Sequence, residues 1–126
     1  MKYIMKENGF YTELPYGPLH ISSTDEHGFR PYQLLVSSIA VCSGGVLRKV
    51  LEKMRLPFED IQMETEVERN PEHANRIEGI QLHFIIKGNV DETKVQKALH
   101  VARKNCAMVQ SVEGSINIVE TFEVIK

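Results

Sequence analysis

The longest apolar stretch of the chain follows Pro31 and predicts the central element of the fold. Residues 34–41 carry no charge, and two serines are the only polar side chains among them. From residue 46 onward, apolar side chains recur at helical spacing, and charged side chains occupy the opposite face. Pro31 suits the first turn of a helix because its missing N–H would be unpaired there, and Pro57 stops the pattern. We therefore predict one long helix over residues 31–56.

The N-terminal half of this predicted helix is apolar on every side. Such a helix has to be buried on every side. At about 1.5 Å per residue the whole helix is roughly 39 Å long, which is too long for the core of one small domain. We therefore expect a second subunit to cover part of it.

Alternating apolar and polar positions after Pro57 predict a long hairpin. Residues 61–68 and residues 80–87 each alternate, which is typical of half-buried strands in an antiparallel sheet. The polar face of the first strand is acidic, and a solvated face is its simplest interpretation. A carboxylate metal site is the less favoured alternative, because the pattern implies no ligand geometry.

The flanking segments complete an α+β pattern. Short strands are expected over residues 1–24, and Asp91 is a plausible N-cap for a second helix. If that helix continues far enough, Cys106 lies on its buried stripe. A turn at residues 111–114 then precedes a last strand, whose apolar face is interrupted by Glu120 for no reason that the pattern supplies. We predict a single domain over residues 1–126, with antiparallel sheets packed around the long buried helix.

Composition and charge narrow the classes of function. The chain has 126 residues and a net charge of −2, so it lacks the basic surplus that binds nucleic acid. It has no polybasic run for membrane surfaces, and no apolar stretch reaches the roughly 18 residues of a spanning helix. The N-terminus has no apolar signal core. We therefore expect a cytoplasmic protein without a nucleic-acid or membrane partner.

The two cysteines, Cys42 and Cys106, are the candidate chemistry. In a cytoplasmic chain they do not form a structural disulfide framework. A redox pair would need a thiolate that attacks a hydroperoxide, a cation beside it, and a second thiol within disulfide distance. Composition alone favours the alternative of two buried, inert thiols. There is no C-x-x-C motif and no zinc-ligand spacing, so no metal is expected.

Gly44 and Gly45 follow Cys42 inside the predicted helix. Each costs about 1 kcal/mol relative to alanine in a helix interior. Close approach by another helix and room for a ligand beside the thiol are the two explanations, and the sequence does not choose between them.

The segment from Arg30 to Gly44, RPYQLLVSSIAVCSG, resembles the central-helix motif of the OsmC/Ohr family. Asn105-Cys106, at the end of the second predicted helix, is similar to that family's second cysteine. The order of elements agrees from residue 28 onward. The resemblance implies an intertwined homodimer and cysteine-based reduction of organic hydroperoxides, with recycling by a dithiol of the lipoyl or thioredoxin kind. By position, Cys42 would attack and Cys106 would resolve.

Two departures from the family motif point to a divergent OsmC-like branch. Gln33 stands where the family has an acidic residue, and residues 1–29 contain no arginine to stabilise the thiolate. Arg30 is the nearest substitute, with Arg48 a weaker one and a solvated role for Arg30 the alternative. Without the family's Arg–Glu pair, we expect burial to raise the pKa of Cys42.

These observations lead to one hypothesis and two rivals. The hypothesis is a cofactor-free thiol peroxidase for alkyl or aryl hydroperoxides, in which Cys42 and Cys106 react and Arg30 assists with Gln33. The first rival is a non-enzymatic module that binds a small apolar metabolite at a dimer-interface cleft. The second is a redox sensor that forms the disulfide once and signals through a partner.

Overall fold

A computed structural model describes the whole chain, Met1–Lys126. It contains six strands and three helices, which follow one another as β1 (Ile4–Lys6), β2 (Gly9–Leu14), β3 (Gly17–Ile21), α1 (Pro31–Lys53), β4 (Phe58–Asn70), β5 (Arg76–Gly88), α2 (Glu92–Asn105), α3 (Ala107–Val112) and β6 (Asn117–Ile125). The chain forms two compact units, Met1–Ser37 and Ser38–Lys126. The assignment of residues 1–126 to a single domain stays a prediction.

The N-terminal unit is built on a three-stranded antiparallel sheet in the order β1-β2-β3. This confirms the short strands expected there. Lys6 Nζ lies 2.9 Å from His20 Nδ1 and donates to the carbonyl oxygen of His27, also at 2.9 Å. Both histidines are exposed, as expected of surface and loop positions, and their contacts tie the loop after β3 to the sheet.

The second unit contains a three-stranded sheet in the order β4-β5-β6. The predicted hairpin is confirmed, because β4 and β5 pair antiparallel from Phe58 to Asn70. The last strand differs from the expectation of an antiparallel sheet, since β6 pairs parallel to β5. The reason is the connection between the two strands. Helices α2 and α3 carry the chain back to the end of the sheet at which β5 begins, so β6 runs in the same direction as β5. The sheet is therefore mixed.

The C-terminal half of α1 lies in the core of this unit. Leu47 and Leu51 are fully buried and belong to one apolar cluster with Phe84 of β5 and Val95 of α2. The alternate residues Leu82, Phe84 and Ile86 turn one face of β5 into this cluster, as the period of two predicts. Burial of each large side chain contributes about 1.5–3 kcal/mol, so packing rather than helix propensity holds α1 in place.

Helix α1 ends at Lys53, three residues earlier than the predicted end at residue 56. Arg55 adopts φ 56°, and the N–H of Leu56 donates to the carbonyl oxygen of Leu51 at 3.1 Å. Helices commonly end with a residue in the left-handed conformation, followed by a residue whose N–H donates to the carbonyl oxygen five residues earlier. The chain therefore turns just before Pro57.

The apolar N-terminal half of α1 is not fully covered within the single chain. Leu35 is 38% exposed and Val41 is 63% exposed. A window of α1 has mean hydropathy 1.6 with 39% of it buried, and it meets the length and composition criteria for a membrane span. The expectation that no stretch would do so was wrong, because serine and glycine interrupt the apolar run without lowering its mean hydropathy enough. The core helices of water-soluble proteins meet the same criteria.

Helix α2 begins as predicted, and it ends at Asn105, directly before Cys106. Asp91 caps it, with Oδ1 accepting from the N–H groups of Thr93 at 2.8 Å and Lys94 at 3.4 Å. Cys106 directly follows the helix with an extended backbone, φ −86° and ψ 109°, and its side chain is buried, as a position on the inward-facing stripe would be. The short helix α3 follows at once and occupies part of the predicted turn at residues 111–114. Residues 105–108 form what we call the elbow.

Candidate active site

The fold brings the two cysteines together. Cys42 lies in the middle of α1 and is partly buried, whereas Cys106 lies in the elbow and is fully buried. Both thiols are free, and their side chains are hydrogen-bonded to each other. Two residues that are distant in the sequence thus form one dithiol pair inside the second unit.

The pKa of Cys42 is lowered from the ordinary thiol value of 9.0. The largest cause is a hydrogen bond from the backbone N–H of Met108, which outweighs the opposing effect of burial; the Cys106 thiol and the N–H of Ala107 add to it. These donors stabilise a thiolate. The expectation that burial would raise the pKa of Cys42 was therefore wrong. Backbone N–H groups of the elbow lower this pKa, although residues 1–29 contain no arginine that could do so.

The pKa of Cys106 moves the other way. Burial is the largest cause of the raised pKa, and the neighbouring Cys42 thiol and its charge act in the same direction, against hydrogen bonds from the N–H groups of Val109 and Met108. The shared hydrogen bond therefore runs from the Cys106 S–H to the Cys42 sulfur. As the pH rises, the more accessible Cys42 therefore loses its proton first, and the buried Cys106 keeps its proton to higher pH.

The break between α2 and α3 is what makes these donors available. The first N–H groups of a helix have no partner within it, and the extended backbone of Cys106 turns those of Ala107 and Met108 toward Cys42. Asn105 stabilises the end of α2, because its side-chain amide donates to the carbonyl oxygen of Val101 at 2.9 Å. The break contains no glycine or proline, so the sequence pattern missed it.

Arg30 and Gln33 belong to the N-terminal unit, at the start of α1. Gln33 Oε1 accepts from the backbone N–H of Arg30 at 3.0 Å, which is one half of a capping box. The Arg30 guanidinium lies 5.1 Å from the centroid of the Tyr32 ring, in cation–π geometry. Each side chain therefore has a local structural role, and their assistance to Cys42 stays a prediction. Arg48, the weaker candidate, forms an exposed ion pair with Glu52 at 3.2 Å.

Three polar residues beside the cysteines were missed or left unexplained by the sequence. Glu120 of β6 accepts from Ser43 Oγ at 3.1 Å and from Arg103 Nη1 at 3.3 Å. The Glu120 side chain is only 8% exposed. This network accounts for the charged residue that interrupts the apolar face of β6. A lone glutamate in an apolar stripe was the available signal, but its partners depend on tertiary structure.

The two glycines after Cys42 have different surroundings. A Cβ on Gly44 would collide with the thioether of Met63 in β4, whereas a Cβ on Gly45 would meet no atom within 4 Å. Gly44 is therefore explained by close packing, against a strand side chain rather than another helix. Gly45 borders an open groove of about 360 Å³, whose lining includes Val41, Arg48, Phe58, Ile61 and Met63.

No group of three or more His, Cys, Asp or Glu side chains is placed to hold a metal ion. The acidic face of β4 is paired across the sheet with Gln81 and His83 of β5, and it is exposed.

Known proteins resemble the chain in both sequence and fold. A family profile described as OsmC-like protein matches residues 23–121. Protein YhfA of Escherichia coli K12 is 27% identical over 97 residues, which are 75% of this chain and 72% of that protein. The crystal structure of a hypothetical protein from Aquifex aeolicus VF5 has a TM-score of 0.87 and 25% identity, and the match covers 98% of this chain and 92% of that one.

A further structural match is described as an organic hydroperoxide resistance protein OsmC from Legionella pneumophila. It has a TM-score of 0.76 and 18% identity, with 98% of each chain covered, and at this identity the likeness shows the fold. The profile match spans most of the chain and includes Cys42, Cys106 and Glu120. The resemblance inferred from the residues is thereby confirmed, and the protein belongs to the OsmC-like family.

Proposed function

We propose that this protein is a thiol peroxidase that reduces organic hydroperoxides, with Cys42 as the attacking thiol and Cys106 as the resolving thiol. The observation that carries the proposal is the dithiol pair: one thiol has a lowered pKa and accepts hydrogen bonds from backbone N–H groups, and the other touches it and keeps its proton. Membership in the OsmC-like family supports a role in redox or peroxide-stress defence.

The proposed reaction has two steps on the protein. The Cys42 thiolate attacks the terminal oxygen of the hydroperoxide, the O–O bond breaks, and the alkoxide leaves as the alcohol after taking up a proton. Cys42 is then a sulfenic acid. The Cys106 sulfur attacks the Cys42 sulfur, the S–O bond breaks, and hydroxide leaves as water with the Cys106 proton. An external dithiol reduces the resulting disulfide and is itself oxidised.

The surroundings of Cys42 support an apolar substrate. Val41, next to it in α1, is 63% exposed, and Met108, whose N–H binds the sulfur, is 37% exposed. Exposed apolar side chains beside a nucleophile favour an alkyl or aryl hydroperoxide over hydrogen peroxide. We include in the proposal a cytoplasmic location, a homodimer, and a lipoyl- or thioredoxin-type reductant. Assistance by Arg30 with Gln33 is part of the same proposal.

The test is mass analysis of the reduced protein after one equivalent of cumene hydroperoxide, with hydrogen peroxide in parallel. We expect rapid loss of two hydrogens, traced by peptide mapping to a Cys42–Cys106 bridge, and faster with the organic oxidant. Cys42→Ser should not react, and Cys106→Ser should stop at the sulfenic acid or over-oxidise. Wild-type protein whose thiols both stay reduced would disprove the peroxidase.

The groove beside Gly45 favours a second candidate, a binding module for a small apolar metabolite. Its volume of about 360 Å³ and its lining by Val41, Phe58, Ile61 and Met63 suit a small ligand. In that case the cysteines would be dispensable. Binding of a fluorescent apolar probe that survives in the Cys42→Ser, Cys106→Ser double variant, together with inert wild-type thiols, would place this candidate first.

A further inference from the structure

A partly buried polar network joins the two segments that carry the cysteines. Ser43 is fully buried, and its hydroxyl donates to Glu120 Oε2 at 3.1 Å. Arg103 Nη1 donates to Glu120 Oε1 at 3.3 Å and to the carbonyl oxygen of Ile118 at 2.8 Å. Arg103 is therefore attached to β6 at two points, and Glu120 connects it to α1.

Stability alone gives little reason for this network. Removing a carboxylate from water costs several kcal/mol, and replacing a buried ion pair with apolar side chains is often neutral or stabilising. The neighbouring positions Ile118, Phe122 and Val124 on the same face of β6 are apolar and pack inward. An apolar side chain at position 120 would continue that face, so the presence of glutamate calls for another explanation.

The points of attachment supply that explanation. Ser43 directly follows Cys42 in α1. At the other end, the carbonyl oxygen of Arg103 accepts from the N–H of Cys106 at 3.4 Å and from Gln110 Nε2 at 3.1 Å. Arg103 thus contacts the residues on both sides of the break between α2 and α3. The hydrogen bonds thus connect Ser43, next to Cys42, through Glu120 of β6 to Arg103 and the elbow. The contact between the two cysteine sulfurs links the two ends of this network.

We propose that Glu120, together with Arg103 and Ser43, is a positioning group that holds the elbow against α1, so that the Cys42 sulfur stays in contact with Cys106 and with the N–H groups of Ala107 and Met108. The proposal rests on the proposed function only in taking Cys42 as the attacking thiol. A looser elbow would lose donors to the thiolate. It would also slow disulfide closure and leave a sulfenic acid exposed to further oxidation.

Variants of Glu120 distinguish a positioning role of this residue from a direct effect of its negative charge on Cys42. Removing a nearby negative charge would by itself favour the Cys42 thiolate and speed its alkylation. The positioning role predicts the opposite for Glu120→Ala, namely about tenfold slower alkylation of Cys42 at pH 7, which is the size expected from losing a well-placed hydrogen bond. Glu120→Gln keeps partners for Ser43 and Arg103, so its alkylation should be at least as fast as that of the wild type.

The experiment measures two rates on reduced, full-length protein: iodoacetamide alkylation of Cys42 across a pH series, and closure of the Cys42–Cys106 disulfide by diamide. Glu120→Ala should slow both, and it should shift the pH profile of alkylation upward. Glu123→Gln is the matched control, because Glu123 lies on the same strand with its side chain exposed and contacts His83 Nε2 at 3.0 Å, and it should leave both rates unchanged. Neither reagent is a hydroperoxide, so the outcome is independent of whether the protein is a peroxidase.

A folded Glu120→Ala protein with wild-type rates and a wild-type pH profile would overturn the proposal, since a purely structural role changes only stability. If Glu120→Ala does not fold, Ser43→Ala decides the matter, because it removes a single hydrogen bond. Ser43→Ala should slow both rates about two- to fivefold. Wild-type rates in this variant would equally overturn the positioning role.

Discussion

At the scale of single residues, the reactivity of Cys42 depends on backbone rather than on side-chain charge. The N–H of Met108 is the largest influence that lowers the pKa of Cys42, and the Cys106 thiol acts in the same direction. A backbone donor has no sequence signature, because every residue except proline carries one. The pKa of Cys42 is therefore lowered although residues 1–29 lack the arginine of the family motif.

The opposite pKa shifts of the two cysteines predict how stability depends on pH. The unfolded state keeps the Cys42 proton up to about 9.0, while the folded state releases it at lower pH. Stability of the reduced wild type relative to Cys42→Ser should therefore rise with pH through the lowered pKa of Cys42 and reach its maximum near 9.0. Above that value the raised pKa of Cys106 acts in the other direction, because the unfolded state then loses the Cys106 proton first.

Urea unfolding at a series of pH values, with a phosphine reductant present, measures this difference. The advantage of the wild type should disappear as the pH falls below the lowered pKa of Cys42. A difference between wild type and Cys42→Ser that stays constant from acid pH to pH 9 would contradict the proposed thiolate. The Cys106→Ser variant is the control for the alkaline limb, which it should remove.

At the scale of elements, the packing of α1 on β4 and the break between α2 and α3 place the reactive groups. Helix α1 carries Cys42 into the second unit, and the Met63 side chain of β4 lies against the backbone at Gly44. The break at Cys106 then supplies donors from the other side. Both contacts depend on which residues meet across elements, and neither follows from the propensity of one segment.

The two adjacent glycines allow a matched test of this packing. Gly44→Ala should be about 1 kcal/mol less stable than Gly45→Ala, because the added methyl group forces the flexible end of the Met63 side chain to move and this offsets the gain in helix propensity. Gly45→Ala meets no atom of the chain and should stabilise it by about 0.5–1 kcal/mol through the better helix propensity of alanine. Chemical unfolding curves measure both values.

A double variant tests the assigned cause. Met63→Ala should remove most of the penalty of Gly44→Ala, since the thioether is the atom group that the methyl meets. Equal changes in the free energy of unfolding for the two glycine substitutions would contradict this cause. The backbone conformation, or a second copy of the chain packed against Gly45, would then explain the effect on stability.

At the scale of the whole molecule, the exposed apolar side chains of α1 support the proposed homodimer. Val41 is 63% exposed and Leu35 is 38% exposed, although both lie in the most apolar stretch of the chain. Large apolar side chains grouped on one helix and left open to water are typical of an interaction surface. A second copy that covers this stretch would satisfy the burial argument that the sequence raised.

Sedimentation velocity at micromolar concentrations tests the dimer with one carboxylate added in the apolar stretch of α1 and one added in α2. The wild type should sediment as a dimer, and Val41→Glu should sediment as a monomer, because a carboxylate in an apolar interface loses its hydration without a partner. Lys97→Glu is the control, since Lys97 is exposed on α2, away from the apolar stretch of α1 in the sequence, and it should remain dimeric. A monomeric wild type would contradict the homodimer.

The sequence by itself determined the elements whose pattern is local. The alternation of β4 and β5, the Asp91 cap and the position of Cys42 inside a long helix all depend on neighbours a few residues away, and the family motif added the pairing of the cysteines. Tertiary structure decided what depends on distant partners: the parallel pairing of β6, the donors from the elbow, and the burial of Glu120 between Ser43 and Arg103. The physical reason is that periodicity reports which face of an element is buried, whereas a site depends on which buried faces meet.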